Sequence, residues 1–89
     1  MLPKNRPPTH PGEVLLEEFL NPKGMTQASL AAKLGLPIQR INTIVNKKRG
    51  VTPETALLLA KVFETSAEFW MNLQTKYDLW TAARRMTGS

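Results

Sequence analysis

The chain has 89 residues, no cysteine, one histidine and a net charge of +5, a length that supports one domain with a modest core. Disulfides and thiolate metal sites are excluded, and one histidine argues against a histidine-built cage, so no metal and no cofactor is expected. No apolar run is long enough to span a bilayer and no signal pattern follows Met1, so the chain reads as soluble and cytoplasmic, with no membrane partner.

Residues 1–9, "MLPKNRPPT", are proline-rich and without apolar period, which predicts a flexible arm before a folded domain over 10–84 and a tail over 85–89. A first helix starts near Pro11, with Thr9 or His10 as cap, and ends in "NPKG" (21–24). A second begins after Thr26 as N-cap and turns Leu30, Ala31 and Leu34 inward. Gly35 breaks it, Pro37 opens a third helix, and Asn46 is expected to end that helix in a left-handed conformation. "VTPE" announces a fourth, with Thr52 as N-cap and Glu54 at the positive end of the dipole. Its body, "TALLLAKVF", is apolar almost all round and predicts a central buried helix. Thr65 and Glu68 have capping-box spacing before a fifth helix, which carries Phe69, Trp70, Leu73, Tyr77 and Trp80 to about Arg84. No segment reads as a strand, so the fold is expected to be all-α.

Residues 27–46 read as a helix-turn-helix. Leu30, Leu34, Leu36, Ile41 and Ile44 fill its apolar places, Ala31 is the small residue where two helices touch, and Gly35 permits the turn. Between Glu18 and Glu54 there is no acidic residue, whereas Lys23, Lys33, Arg40, Lys47, Lys48 and Arg49 all fall there. A cationic stretch inside a folded domain suggests a polyanion, most commonly nucleic acid. The third helix should present Ile38, Gln39, Arg40, Asn42 and Thr43 to base edges, where amides pair with adenine, guanidinium with guanine and apolar groups with thymine methyls. Lys47, Lys48 and Arg49 then lie beside the phosphates, and Gln27 meets a phosphate at the second helix's N-terminus. Ordinary solvation explains any one of these residues but not the missing acids. Val45 is assigned to packing.

"HPGEVLLEEFL", the helix-turn-helix, "NKKRGVTPETALLLAKVF" and "SAEFWMNLQTKYDLW" together resemble the HigA (VapI-like) antitoxins, XRE/Cro-type helix-turn-helix proteins. The resemblance implies a five-helix, lambda-repressor-like domain that dimerises, binds a palindromic operator in double-stranded DNA and represses its own operon. It also implies neutralisation of a HigB-like toxin, a RelE-like mRNA endonuclease. Pro37 stands where many relatives have a capping serine or threonine, so the third helix is expected to start slightly displaced.

Catalysis is not expected, because no phosphate loop, zinc motif or nucleophile elbow is present and His10 has no nucleophile near it in sequence. An orphan repressor without a toxin and a pure protein-interaction module are the alternatives. Phe69, Trp70, Leu73, Tyr77 and Trp80 spread over more than one helix face, with Leu79 beyond, and predict a homodimer interface. Glu13, Glu17 and Glu18 form the acidic ridge expected to attract a basic toxin.

Overall fold

The computed structural model describes residues 8–87, which form five helices and no strand. Helix α1 joins an α-turn Pro11–Val14, a π-wound Leu15–Leu20 and a closing Asn21–Lys23; α2 is Gln27–Leu34, α3 Ile38–Val45, α4 Pro53–Phe63 and α5 Ala67–Met86. Residues 1–7 of the expected arm and 88–89 of the expected tail lie outside the described residues. Arg85 and Met86 belong to α5, so the helix runs past the boundary expected at 84.

Local side-chain chemistry sets most of the helix starts. His10 Nδ1 accepts from Gly12 N at 2.9 Å, Thr26 Oγ1 from Ser29 N at 3.0 Å and Thr52 Oγ1 from Thr55 N at 3.3 Å. Each satisfies an amide that the first helical turn leaves free. The cap of α5 is a correction. Ser66, not Thr65, accepts from Phe69 N at 3.0 Å, because the Thr65 hydroxyl takes the indole N–H of Trp70 at 2.8 Å. A buried indole N–H needs an acceptor, and Thr65 supplies it. Pro37 caps α3 without a side-chain bond; Arg40 N reaches its carbonyl at 3.0 Å, and α3 starts regularly at Ile38.

The α1 and α2 ends close on left-handed glycines, Gly24 at φ +62° and Gly35 at φ +70°. Met25 N bonds back to Leu20 O at 2.9 Å and Leu36 N to Ala31 O at 3.0 Å, the reverse bonds of a helix-ending turn. Helix α3 closes in the same way, with Lys48 N on Thr43 O at 2.9 Å. Its left-handed residue, however, is Lys47 at φ 64°, while Asn46 stays at φ −85°. The turn places its positive φ one residue beyond Asn46, against the sequence expectation. The π-wound turn of α1 precedes Pro22, whose ring in a regular α-helix presses on the carbonyl four residues back.

The core gathers Leu15, Leu20, Leu30, Ile41, Ile44, Ala56, Leu59 and Trp70, none more than 1% exposed. Each large apolar side chain there contributes about 1.5–3 kcal/mol. Phe19 lies 4.9 Å from Phe63 and 5.1 Å from Trp70, ring centre to ring centre, and joins α1 to α4 and α5. Helix α4 is less buried than its composition predicts: Thr55, Ala56, Leu59 and Phe63 face inward, while Leu57 is 59% exposed.

Two close approaches hold α3 in place. A Cβ on Gly12 would overlap the carbonyl of Ile44, so only glycine lets α1 sit on the end of α3. "HPGE" is thus a cap, a first-turn proline and a contact point in succession, followed by an acid. Behind the loop after α3, the buried Gln74 accepts from Val51 N at 2.7 Å and donates to Asp78 Oδ1 at 2.9 Å.

Candidate nucleic-acid interface

Helix α3 is eight residues long, about 12 Å at 1.5 Å per residue, which matches the width of a DNA major groove. Ile41, Ile44 and Val45 point into the core, the last as expected for packing. On the outer side, Ile38 is 44% exposed, Gln39 and Asn42 are exposed, and Arg40 and Thr43 are half-buried. Ile38 is thus a single exposed apolar side chain at the leading end of an otherwise polar face.

The structure brings the predicted readers together and adds a residue. Asn42 Nδ2 donates to Gln27 Oε1 across the helix-turn-helix at 3.3 Å, and Asn46 Nδ2 donates to Asn42 Oδ1 at 3.1 Å. Asn46, expected from sequence only as the helix end, joins this face, and its four-residue spacing from Asn42 is the sequence signal for it. Thr43 Oγ1 donates to the carbonyl of Arg40 at 3.0 Å, so its hydroxyl is turned back onto α3.

Lys47, Lys48 and Arg49 are exposed just beyond α3. Lys47 Nζ lies 3.3 Å from Glu13 Oε1, each side chain about half exposed. Glu13 of the expected acidic ridge is exposed but paired with Lys47, while Glu17 and Glu18 are exposed on α1. A lysine in a left-handed position costs about 1 kcal/mol more than glycine, so its charge is kept against a local penalty.

The aromatic helix divides. Trp70 is fully buried and bonded to Thr65, which removes it from the expected dimer interface: the core closed by Phe19 and Phe63 uses its whole surface. Phe69, Leu73, Tyr77 and Trp80 are half-buried and Leu79 is 66% exposed. Tyr77 meets His10 edge-on at 4.7 Å, and Arg84 stacks on Trp80 at 4.8 Å. Burial, and then the nearby Lys47 charge, push His10 below its ordinary pKa. Among the described residues, no group of three or more potential ligands is placed for a metal, and no helix is long and apolar enough to cross a membrane.

The helix-turn-helix family model matches residues 16–70, and the chain belongs to that family. The chain is 48% identical over 73 residues to virulence-associated protein I of Dichelobacter nodosus, covering 82% of this chain and 68% of that one. It is 37% identical over 81 residues to antitoxin HigA-1 of Vibrio cholerae, covering 90% and 75%. The Pseudomonas aeruginosa antitoxin HigA, solved with the higBA promoter, superposes with a TM-score of 0.86 at 44% identity, over 88% of this chain and 85% of that one. Within the helix-turn-helix proteins the chain is therefore a member of the HigA (VapI-like) antitoxin family, a family of DNA-binding regulators and not of enzymes.

Proposed function

We propose that the protein is a sequence-specific DNA-binding antitoxin that represses its own operon as a homodimer. The reading is carried by one observation: the outward face of α3 holds Ile38, Gln39, Arg40, Asn42 and Thr43, and runs straight into Lys47, Lys48 and Arg49 with no acid between them in the chain and only Glu13 of α1 paired to Lys47. Helix α3 lies in the major groove with Gln39 and Arg40 at base edges and Ile38 at a thymine methyl. Gln27, Lys48 and Arg49 contact phosphates and set the register. The relative from Pseudomonas aeruginosa, solved with promoter DNA, supports the same use of this fold.

The dimer uses the exposed part of α5, around Leu73, Tyr77, Leu79 and Trp80, with Phe69 at its edge. It places two copies of α3 about 34 Å apart on a palindromic operator. The second partner is a basic, HigB-like toxin of the RelE-like mRNA endonuclease class, drawn to Glu17 and Glu18 on α1.

The test is an anisotropy titration of the chain's own promoter DNA against random DNA. Arg40→Ala should weaken operator binding by about 1–3 kcal/mol and relax one base pair per half-site. Lys48→Ala should weaken all DNA alike and make the salt dependence shallower. Unchanged operator affinity in Arg40→Ala removes α3 as the reader, and equal affinity for random DNA favours a protein-interaction module. A monomer mass in light scattering, with and without operator, overturns the dimer. Operator binding without capture of the neighbouring gene product describes an orphan repressor.

A further inference from the structure

Three amides in a row cross the DNA-facing surface, and their order has a direction. Asn46 donates to Asn42, and Asn42 donates to Gln27. Asn42 therefore commits one N–H and one lone pair inside the protein, and its amide plane is pinned from both sides. Gln27 accepts through Oε1, which turns the Nε2 end of the same planar amide away from Asn42. All three lie within reach of solvent, Asn42 and Asn46 exposed and Gln27 half-buried.

We propose that Asn42 is a positioning residue and not a base reader. Together with Asn46 it forms a directed relay that presents Gln27 to the DNA backbone as a hydrogen-bond donor. A phosphate oxygen only accepts, so Gln27 assists binding in one of its two amide orientations and opposes it in the other. The relay selects the favourable one, and it strengthens as DNA excludes water from the face. Asn46 stands at the far end, on the last residue before the left-handed Lys47, so a change in its donor or acceptor character is passed along the whole row. The inference rests on the DNA-binding reading above.

The polarity makes a sharp test. Asn46→Asp replaces the donor with an acceptor at nearly constant shape. Asn42 must then flip to donate to it, which turns Asn42 Oδ1 to Gln27; Gln27 flips in turn and faces phosphate with Oε1. The expected loss of operator affinity is about tenfold beyond that seen for Asn46→Asp in a Gln27→Ala background. General repulsion between the new carboxylate and DNA is shared by both backgrounds and cancels in the cycle. Asn46→Ala, which carries no new charge, should cost about threefold, again only with Gln27 present. Side-chain amide hydrogen exchange, followed by NMR on the free protein, reads the direction without DNA. One N–H of Asn42 and one of Asn46 should be slowed in the wild type, and one N–H of Asn42 and one of Gln27 in Asn46→Asp. Equal affinity losses in the two backgrounds, or slowed exchange at Gln27 in the wild type, overturn the relay. A wild-type protein that fails to prefer its operator overturns the DNA reading instead, and the exchange pattern tells the two failures apart.

Discussion

The Glu13 carboxylate, in the first turn of α1, lies 3.3 Å from the Lys47 ammonium at the end of α3. Two residues that the sequence assigned to different partners thus hold each other. Both are about half exposed, so the pair adds little to stability, roughly 0–1 kcal/mol. On the proposed DNA-binding reading its larger effect is on DNA, because a phosphate would compete with Glu13 for Lys47. Glu13→Gln should leave the melting temperature nearly unchanged and raise operator affinity about threefold at low salt. The salt dependence should steepen by about one released counterion. Affinity unchanged across a salt titration would mean that Lys47 does not reach the backbone. Because Glu13 is paired with Lys47, a toxin contact on α1 is best isolated by Glu17→Lys with Glu18→Lys, which leaves the proposed DNA face intact.

Lys47 also carries a conformational cost, at φ 64°. Lys47→Gly removes both the strain and the charge, and the two act on different observables. Stability should rise by roughly 0.5–1 kcal/mol, partly offset by the lost ion pair, while affinity for all DNA falls. Chemical denaturation and DNA titration on the same preparation check the split. A fall in both shows that the side chain serves the fold more than the ligand.

Gly12 is the hinge between "HPGE" and the reading helix. Because a Cβ there overlaps the Ile44 carbonyl, Gly12→Ala must push α1 off α3 or displace the end of α3. Backbone has little room to yield, so the expected cost is about 3 kcal/mol or more. A urea midpoint close to wild type would show that the two helices separate without penalty.

Much of this architecture is legible in the chain because it is local. Thr26 and Thr52 cap amides three residues away, Gly24 and Gly35 close their own helices, and the apolar period of α3 marks Ile41 and Ile44 as core. The corrections arise where a competing bond or packing between segments decides. Thr65 and Ser66 are equivalent hydroxyls until the Trp70 indole claims one of them. Trp70 itself looks available for a partner until Phe19, from α1, closes over it. Asn46 has the better propensity for a left-handed turn, yet the closing bond to Thr43 sets the positive φ on Lys47. On the candidate DNA face the residue types are readable, but the bond from Asn42 to Gln27 and the ion pair of Glu13 with Lys47 depend on how α1, α2 and α3 pack.

Gln74 stands under the loop that carries the cations. Its carbonyl is the partner of the buried Val51 amide at 2.7 Å. Gln74→Leu keeps the volume and removes the acceptor, leaving that N–H unsatisfied at about 1–3 kcal/mol. Gln74→Glu retains the acceptor for Val51 N but sets a carboxylate against Asp78 Oδ1, to which Gln74 donates, so it should keep the Val51 bond without recovering stability at neutral pH. Hydrogen exchange at Val51 should quicken in the leucine variant and stay slow in the glutamate one; equal protection in both would show that the amide finds another partner.

His10 gives the protein a pH dependence whose direction is fixed by geometry. Nδ1 must be unprotonated to accept from Gly12 N, and the ring is buried edge-on against Tyr77. Burial and Lys47 lower its pKa from 6.5, against the raising pull of Asp78 and Glu13. The unfolded chain therefore binds the proton first, so unfolding is favoured as pH falls. The stabilisation is fully present above the unfolded value of 6.5 and is lost as pH descends through the lower folded value. Thermal melts between about pH 7.5 and 5 should show a falling midpoint, steeper than the carboxylates alone produce at that pH. His10→Asn keeps a side chain that caps well without titrating. It should be less stable at neutral pH, because the Tyr77 contact is gone, and its melting curve should flatten over the same range. Parallel slopes for the two proteins would place the titrating group elsewhere and leave His10 as a cap alone.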